Sequence, residues 1–225
     1  MLVSGAASST PSAGGCNERH TVTANGDVQH STAQSKIDGS SIYFDGTGDY
    51  LDVASSTDFN YASDFTVESW VYKINNDLEY WIDARNGSDQ YGFYAYFGSG
   101  SITWGVTGGW SGNTSVSNDT WHHFAFVRNS GTAYFYIDGV SQGSGSMTDS
   151  NTDARPFVIG VRNTDAPYFY TGYMDELRFS DTARYPSGTT FTPSTTSFNC
   201  DSNTVLLIHS DNTNGSTTFV GNGHI

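Results

Sequence analysis

Residues Trp121–Val140 read WHHFAFVRNSGTAYFYIDGV. Two runs, Trp121 to Val127 and Ala133 to Ile137, are dense in aromatic and β-branched residues, which suit a pleated and largely buried surface. Arg128-Asn-Ser-Gly-Thr132 joins them, and Asp138-Gly139 is a turn dipeptide directly after the second run. The stretch predicts a β-meander, and the same grammar continues on both sides of it.

Upstream, Ser41–Phe44 and Tyr50–Val53 flank the turn Asp45-Gly-Thr-Gly-Asp49, and Phe65–Ile74 alternates Val67 and Val71 with Glu68, Trp70 and Tyr72. Glu79–Ala84, Tyr91–Phe97 and Ile102–Val106 read as three further short strands joined by Gly and Ser. Downstream come Phe157–Val161, Gly172–Phe179 and Thr204–His209. About eleven strands and no helix are expected, so the fold class is all-β: two antiparallel sheets packed face to face as a jelly-roll sandwich. Residues 1–15 read as a flexible tail, 16–185 as the sandwich, 186–203 as a Thr/Ser-rich connector, and 204–225 as a terminal strand completing this domain or a neighbouring copy.

Composition limits the partners. The formal net charge is -14, carried mostly by Asp, since Glu occurs only at positions 18, 68, 79 and 176. Nine Lys and Arg scattered along the chain make no basic stripe, which argues against nucleic acid. No apolar run reaches the length of a bilayer-crossing helix, so membrane insertion is not expected. The two cysteines, Cys16 and Cys200, would close nearly the whole chain if bonded; two cysteines alone leave a disulfide and two free thiols both open.

The segments SIYFDGTGDYLDV (41–53), DFTVESWV (64–71), WHHFAFVR (121–128), AYFYIDGV (133–140) and YTGYMDELRFSDTARY (170–185) resemble, in this order, the laminin G-like, pentraxin-related family of concanavalin A-like lectin domains. The resemblance implies a calcium ion near a sheet edge, with Asp45, Asp49 and Asp175 at the matching positions; turn bonds from the two aspartates of 45–49 are the competing explanation. The family's usual opening strand resembles NTVLLIHSDNTNGSTTF, which here stands at 203–219, so the chain looks circularly permuted or tandem-derived. Thr204–His209 would then either fold back within the molecule, the favoured reading, or insert into a neighbour and join copies.

For function, the resemblance implies a recognition module on an extracellular, cell or virion surface, with a surface glycan or glycoprotein as partner. An exposed aromatic can stack on the apolar face of a sugar ring while amides read its hydroxyls. Trp110, in the loop Gly108-Gly-Trp-Ser-Gly112, leads the candidates, followed by Tyr168 and Tyr170 with Asn113 as a polar companion; loops 86–90, 107–119 and 162–170 would display them. Tyr94, Tyr96 and Trp104 are expected to serve packing instead. No carboxylate cluster of glycosidase type, nucleophile elbow or phosphate loop occurs, so no catalytic residue is assigned and hydrolysis is the remote alternative. A structural subunit joined through the terminal strand is the closer one.

Overall fold

The computed structural model describes residues 16–85, 92–148, 154–162 and 168–224. The expected tail at 1–15 and loop 86–90 lie outside them, as does 163–167 of loop 162–170. Sixteen strands and no helix are found among the described residues. The eleven expected strands are present as β3 (Ser41–Asp45), β4 (Tyr50–Ser56), β5 (Phe65–Lys73), β6 (Glu79–Asp83), β7 (Phe93–Gly98), β8 (Ser101–Val106), β10 (Trp121–Asn129), β11 (Thr132–Ile137), β13 (Arg155–Ile159), β14 (Thr171–Ser180) and β15 (Thr204–Ile208). Five more complete the set: β1 (Asn17–Asn25), β2 (Gln29–Ser31), β9 (Ser111–Ser115), β12 (Val140–Ser146) and β16 (Val220–Gly223). β9 and β12 are polar edge strands that bury little, so they lack the alternation by which strands are recognised.

In the first sheet the order runs β12-β11-β10-β5-β14, all antiparallel. The far edge of β14 is shared: its first half, Thr171–Met174, pairs with β3, and its second half, Leu177–Ser180, pairs with β15. The second sheet runs β4-β13-β6-β7-β8-β9. β1 belongs to both, because Asn17–Thr21 pair with β16 while Val22–Asn25 pair with β4. Thr204–Ile208 thus pairs within its own chain, against β14 and β16.

The layers close on one aromatic core. Phe44, Phe59, Phe65, Phe93, Phe97, Phe126, Phe135, Phe157 and Phe179 are fully buried, as are Tyr61 and Trp81. Phe93 and Phe126 stack at 4.4 Å across the layers, and Phe65 and Phe179 at 5.6 Å within one. Such ring pairs add roughly 0.5–1.5 kcal/mol each beyond the area they bury. Cys16 and Cys200 form a disulfide, their Cα atoms 6.0 Å apart, and so join the start of β1 to the end of the connector.

The connector is more than a spacer. It crosses the outer face of the first sheet, where Phe191 stacks flat on Tyr185 at 3.5 Å, Phe198 lies under the Arg178 guanidinium at 4.2 Å, and the Ser194 carbonyl accepts the Trp70 indole N–H. Beneath this roof Glu68 is fully buried. It accepts from Arg178 at 2.6 and 2.9 Å and from the Tyr185 hydroxyl at 2.8 Å, and it lies 3.2 Å from His123. Burial alone would raise its carboxyl, but His123 and Arg178 outweigh that and hold it down at about 2.

Candidate functional site

The outer face of the second sheet has no roof in the described structure. The pleat of β7 sends Phe93, Ala95 and Phe97 to the core and leaves Tyr94 and Tyr96 half-buried on the outside. On β6 a register shift between Tyr80 and Ile82 lets Trp81 and Ile82 both enter the core, so that Tyr80 lies opposite Tyr96 and Asp83 opposite Tyr94. The registers align a row across four strands: Tyr80 on β6, Tyr96 on β7, Thr103 on β8 and Asn113 on β9.

The rings stack along that row. Tyr80 and Tyr96 are 5.1 Å apart and 29° from parallel, Tyr94 and Tyr96 6.0 Å and 20°, and Tyr168 extends the stack over Tyr80 at 6.3 Å and 21°. Arg85 grips Asp83 with two bonds of 2.7 Å while its guanidinium lies 4.6 Å from the centre of the Tyr94 ring. That is a bidentate ion pair braced by a cation–π contact. Arg162 reaches the Tyr168 ring at 5.9 Å. Burial raises the Tyr80 phenol above its ordinary value against the opposing charge of Arg85, so this ring stays neutral as a floor beneath its more exposed neighbours. Asn113, exposed on the edge, donates to the Thr103 hydroxyl at 2.8 Å.

Of the four expected ligand contacts, Tyr168 and Asn113 therefore lie on one face, and the other two do not join them. Trp110 is half-buried. Its ring sits on β12, where a side chain at Gly145 would stand 2.2 Å from the Trp110 Cβ, and it packs 6.2 Å from Trp104. It packs against β12 and Trp104 and is half-buried rather than fully exposed. Tyr170 is fully buried, edge-on to Phe44 at 5.6 Å, with its hydroxyl donating to the Tyr72 carbonyl at 2.8 Å. It is a core residue and presents no ring to solvent. Trp104 is buried as expected, whereas Tyr94 and Tyr96 pack across strands yet keep one side accessible.

A second aromatic row crosses the first sheet beyond the edge of the connector. Tyr43, Tyr173, Tyr72 and Trp121 are successive cross-strand partners, with ring centres 5.0, 5.9 and 5.5 Å apart.

The three aspartates expected to share an ion are separated by the fold. Asp45 and Asp49 do meet, together with Asp27, and the three offer oxygens within 4.8 Å of one another. Asp49 is fully buried and its two oxygens accept the N–H groups of Asp27 and Asp45 at 2.8 and 2.9 Å; Gly26, at φ +71°, leaves the room, since a Cβ there would stand 2.3 Å from Asp49 Oδ1. Burial raises its carboxyl in spite of those bonds. Asp175 lies elsewhere: Asp45 pairs with Thr171, and four further residues of strand span roughly 13 Å. Burial outweighs the N–H groups of Lys36 and Ile37 and pushes the Asp175 carboxyl up to about 8. Asp175 is therefore removed from the expected set.

The family pattern described as the concanavalin A-like lectin/glucanases superfamily matches residues 45–188. No curated protein sequence matches the chain significantly. Among solved structures, the binding domain of botulinum neurotoxin serotype D superimposes with a TM-score of 0.57 at 14% identity, over 74% of this chain and 44% of that one. The serotype C1 binding domain gives 0.55 at 12% identity, over 74% and 45%, so the match takes in less than half of either toxin domain. Domain 4 of AbnA, an extracellular arabinanase of Geobacillus stearothermophilus solved with arabinotriose, gives 0.54 at 20% identity, over 75% of this chain and 85% of that one. With a matched segment that runs from the Asp45 turn past the end of β14, and an all-β sandwich of the same kind as these structures, the chain belongs to the laminin G-like family of the concanavalin A-like lectin/glucanase superfamily.

Proposed function

We propose that the domain is a non-catalytic recognition module of an extracellular, cell-surface or virion-surface protein, and that it binds carbohydrate on the outer face of the second sheet. One observation carries this reading: Tyr94, Tyr96 and Tyr168 keep accessible ring area on the face that also holds the Arg85–Asp83 pair and Asn113. Flat rings complement the apolar face of a pyranose or furanose, the exposed Asn113 amide matches hydroxyls at its rim, and the buried Arg85–Asp83 pair holds the Tyr94 ring in place. The related folds support the ligand class: AbnA domain 4 was solved with arabinotriose, and cell entry of botulinum neurotoxin type C depends on interaction with two ganglioside molecules. The disulfide supports an oxidising compartment.

Glycoside hydrolysis needs two carboxyl groups across an open groove, and here Glu68 and Asp83 are each bound to an arginine and buried. This supports binding without turnover. Calcium, where bound, would be held by Asp27, Asp45 and Asp49 and would fasten the turn before β4; a calcium-dependent rise in melting temperature, absent in Asp45→Asn, is the expected signature. The alternative of a subunit joined through 204–209 requires that strand to leave β14, so a monomer stable to dilution argues for recognition.

The test is a glycan array with ganglioside headgroups and arabinan oligosaccharides, followed by titration. Native protein and Tyr72→Ala, which alters only the first-sheet row, should bind alike, and Tyr96→Ala should bind at least tenfold more weakly. Absence of any hit for the folded native protein, or full binding by Tyr96→Ala, overturns the proposal.

A further inference from the structure

Lys73 ends β5 with its side chain buried, only 2% exposed, and its Nζ 5.9 Å from the centre of the Phe97 ring. Nζ donates to the Asn75 carbonyl at 2.9 Å and to Asn76 Oδ1 at 3.0 Å, and it touches Asn118 Oδ1. All three acceptors are neutral amide oxygens. Burial lowers the Lys73 amine below its ordinary value, and Glu79 and Asp119 oppose this without offsetting it. Glu79, at the start of β6, is equally buried at 2%, and its Oε2 has no hydrogen-bond partner. Burial raises its carboxyl against the hydrogen bonds of Thr171 and Asn75. Asn118 lies half-buried between β9 and β10, 45 positions from Lys73. The next residue fixes it there, since the Asp119 N–H donates to the Lys73 carbonyl at 2.9 Å.

We propose that Lys73 and Asn118 join in an intramolecular isopeptide bond, with Glu79 as the proton carrier. A desolvated lysine is a nucleophile, a protonated buried carboxyl is a general acid, and holding amine against amide makes the reaction unimolecular. The Nζ lone pair adds to Asn118 Cγ while Oδ1 takes the Glu79 proton. Nζ then gives a proton to the Glu79 carboxylate, which passes it to Nδ2. The Cγ–Nδ2 bond breaks, its electron pair leaves with nitrogen as ammonia, and the re-forming carbonyl returns a proton to Glu79. One amide replaces another, so no oxidant or cofactor is needed. Asn118 is favoured over Asn76 because Asn76 is exposed and its amide stays hydrated. The bond ties the end of β5 to the segment entering β10, its neighbour in the first sheet.

The experiment is mass spectrometry of the full chain, reduced and denatured, followed by digestion with trypsin. Native protein should weigh less than its sequence by one ammonia, about 17 Da. Fragments 37–85 and 86–128 should stay joined, with Lys73 blocked to the protease. Lys73→Arg and Asn118→Ala should show the full mass and no joined fragment, and Glu79→Gln should reduce the joined fraction at least tenfold. Four results would each overturn the proposal: native protein at full mass, ammonia loss with separate fragments as from a succinimide at an Asn-Gly step, a join to Asn76 instead, or undiminished joining in Glu79→Gln. The native chain alone reports the bond, so a variant that fails to fold leaves the test intact.

Discussion

The outer faces of the two sheets begin from the same pleat and end differently. On the first, the row Glu68–Trp70 and its neighbours is sealed by a Ser/Thr/Pro-rich connector that uses Phe191 and Phe198 as anchors, so the charges beneath are buried and must be paired. On the second, Tyr94, Tyr96 and Tyr168 are half-buried with no connector over them, and Arg85 holds the buried Asp83 beside them. A roof buries aromatic and polar side chains together, and its lack leaves the tyrosine rings half-buried and the Asn113 amide exposed. The contrast predicts that changes under the roof cost stability and spare binding, and that changes on the open face do the reverse.

The largest effect is expected where the roof is bolted down. Replacing Cys16 and Cys200 by serine, or reducing their bond, should lower unfolding free energy by up to roughly 4–5 kcal/mol, because the closed loop is nearly the whole chain. Denaturant melts with and without reductant measure this, and carbohydrate affinity should be unchanged wherever the protein stays folded. Next is Glu68→Gln, which leaves Arg178 buried without its counter-charge and should destabilise by about 3–5 kcal/mol. If it instead weakened binding at constant stability, the comparison would fail.

The same residue sets an acid response. The Glu68 pKa is depressed from 4.5 in the reference state to about 2 in the fold, so the folded state binds the proton more weakly than the unfolded one. Its contribution is therefore present above about pH 4.5 and lost progressively as pH falls towards 2. Melting temperature against pH should fall through this window, and less steeply in Glu68→Gln. The smallest stability changes belong to the open face: Tyr96→Ala and Asn113→Ala should alter stability by about 1 kcal/mol or less while weakening carbohydrate binding, Tyr96→Ala the more strongly.

Much of the scaffold was legible in the chain. Strands with a buried face, such as β5, β10, β11 and β15, carry the aromatic and β-branched runs that announce them, whereas β9 and β12, written in Ser, Gly, Asn and Thr, bury too little to leave a pattern. The site was legible in part. Tyr168 and Asn113, named from the sequence, do lie on one face, but Tyr80, Tyr94 and Tyr96 look like packing residues until the register places them on that face. Trp110 and Tyr170 read as exposed because they flank glycines or a proline; a neighbouring strand half-buries the first and the core takes in the second, and neither event is local in sequence. The acid pair Asp175–Glu176 inside an otherwise apolar strand was a usable sign of an interrupted ladder. Its meeting with His209, 33 positions away, depends on β14 exchanging one partner for another.

The bond between Cys16 and Cys200 also has a mechanical meaning. Asn17 pairs with Gly223, so the described chain enters and leaves at one corner, and tension applied there peels β16 from β1 rather than shearing the sheets. Beyond that point the load passes through sulfur to position 200 and bypasses everything between. Only residues 201–224 can be drawn out, on the order of 80 Å of slack. With that tether intact, a stretched chain yields only this short leash before the load bears on the bond itself.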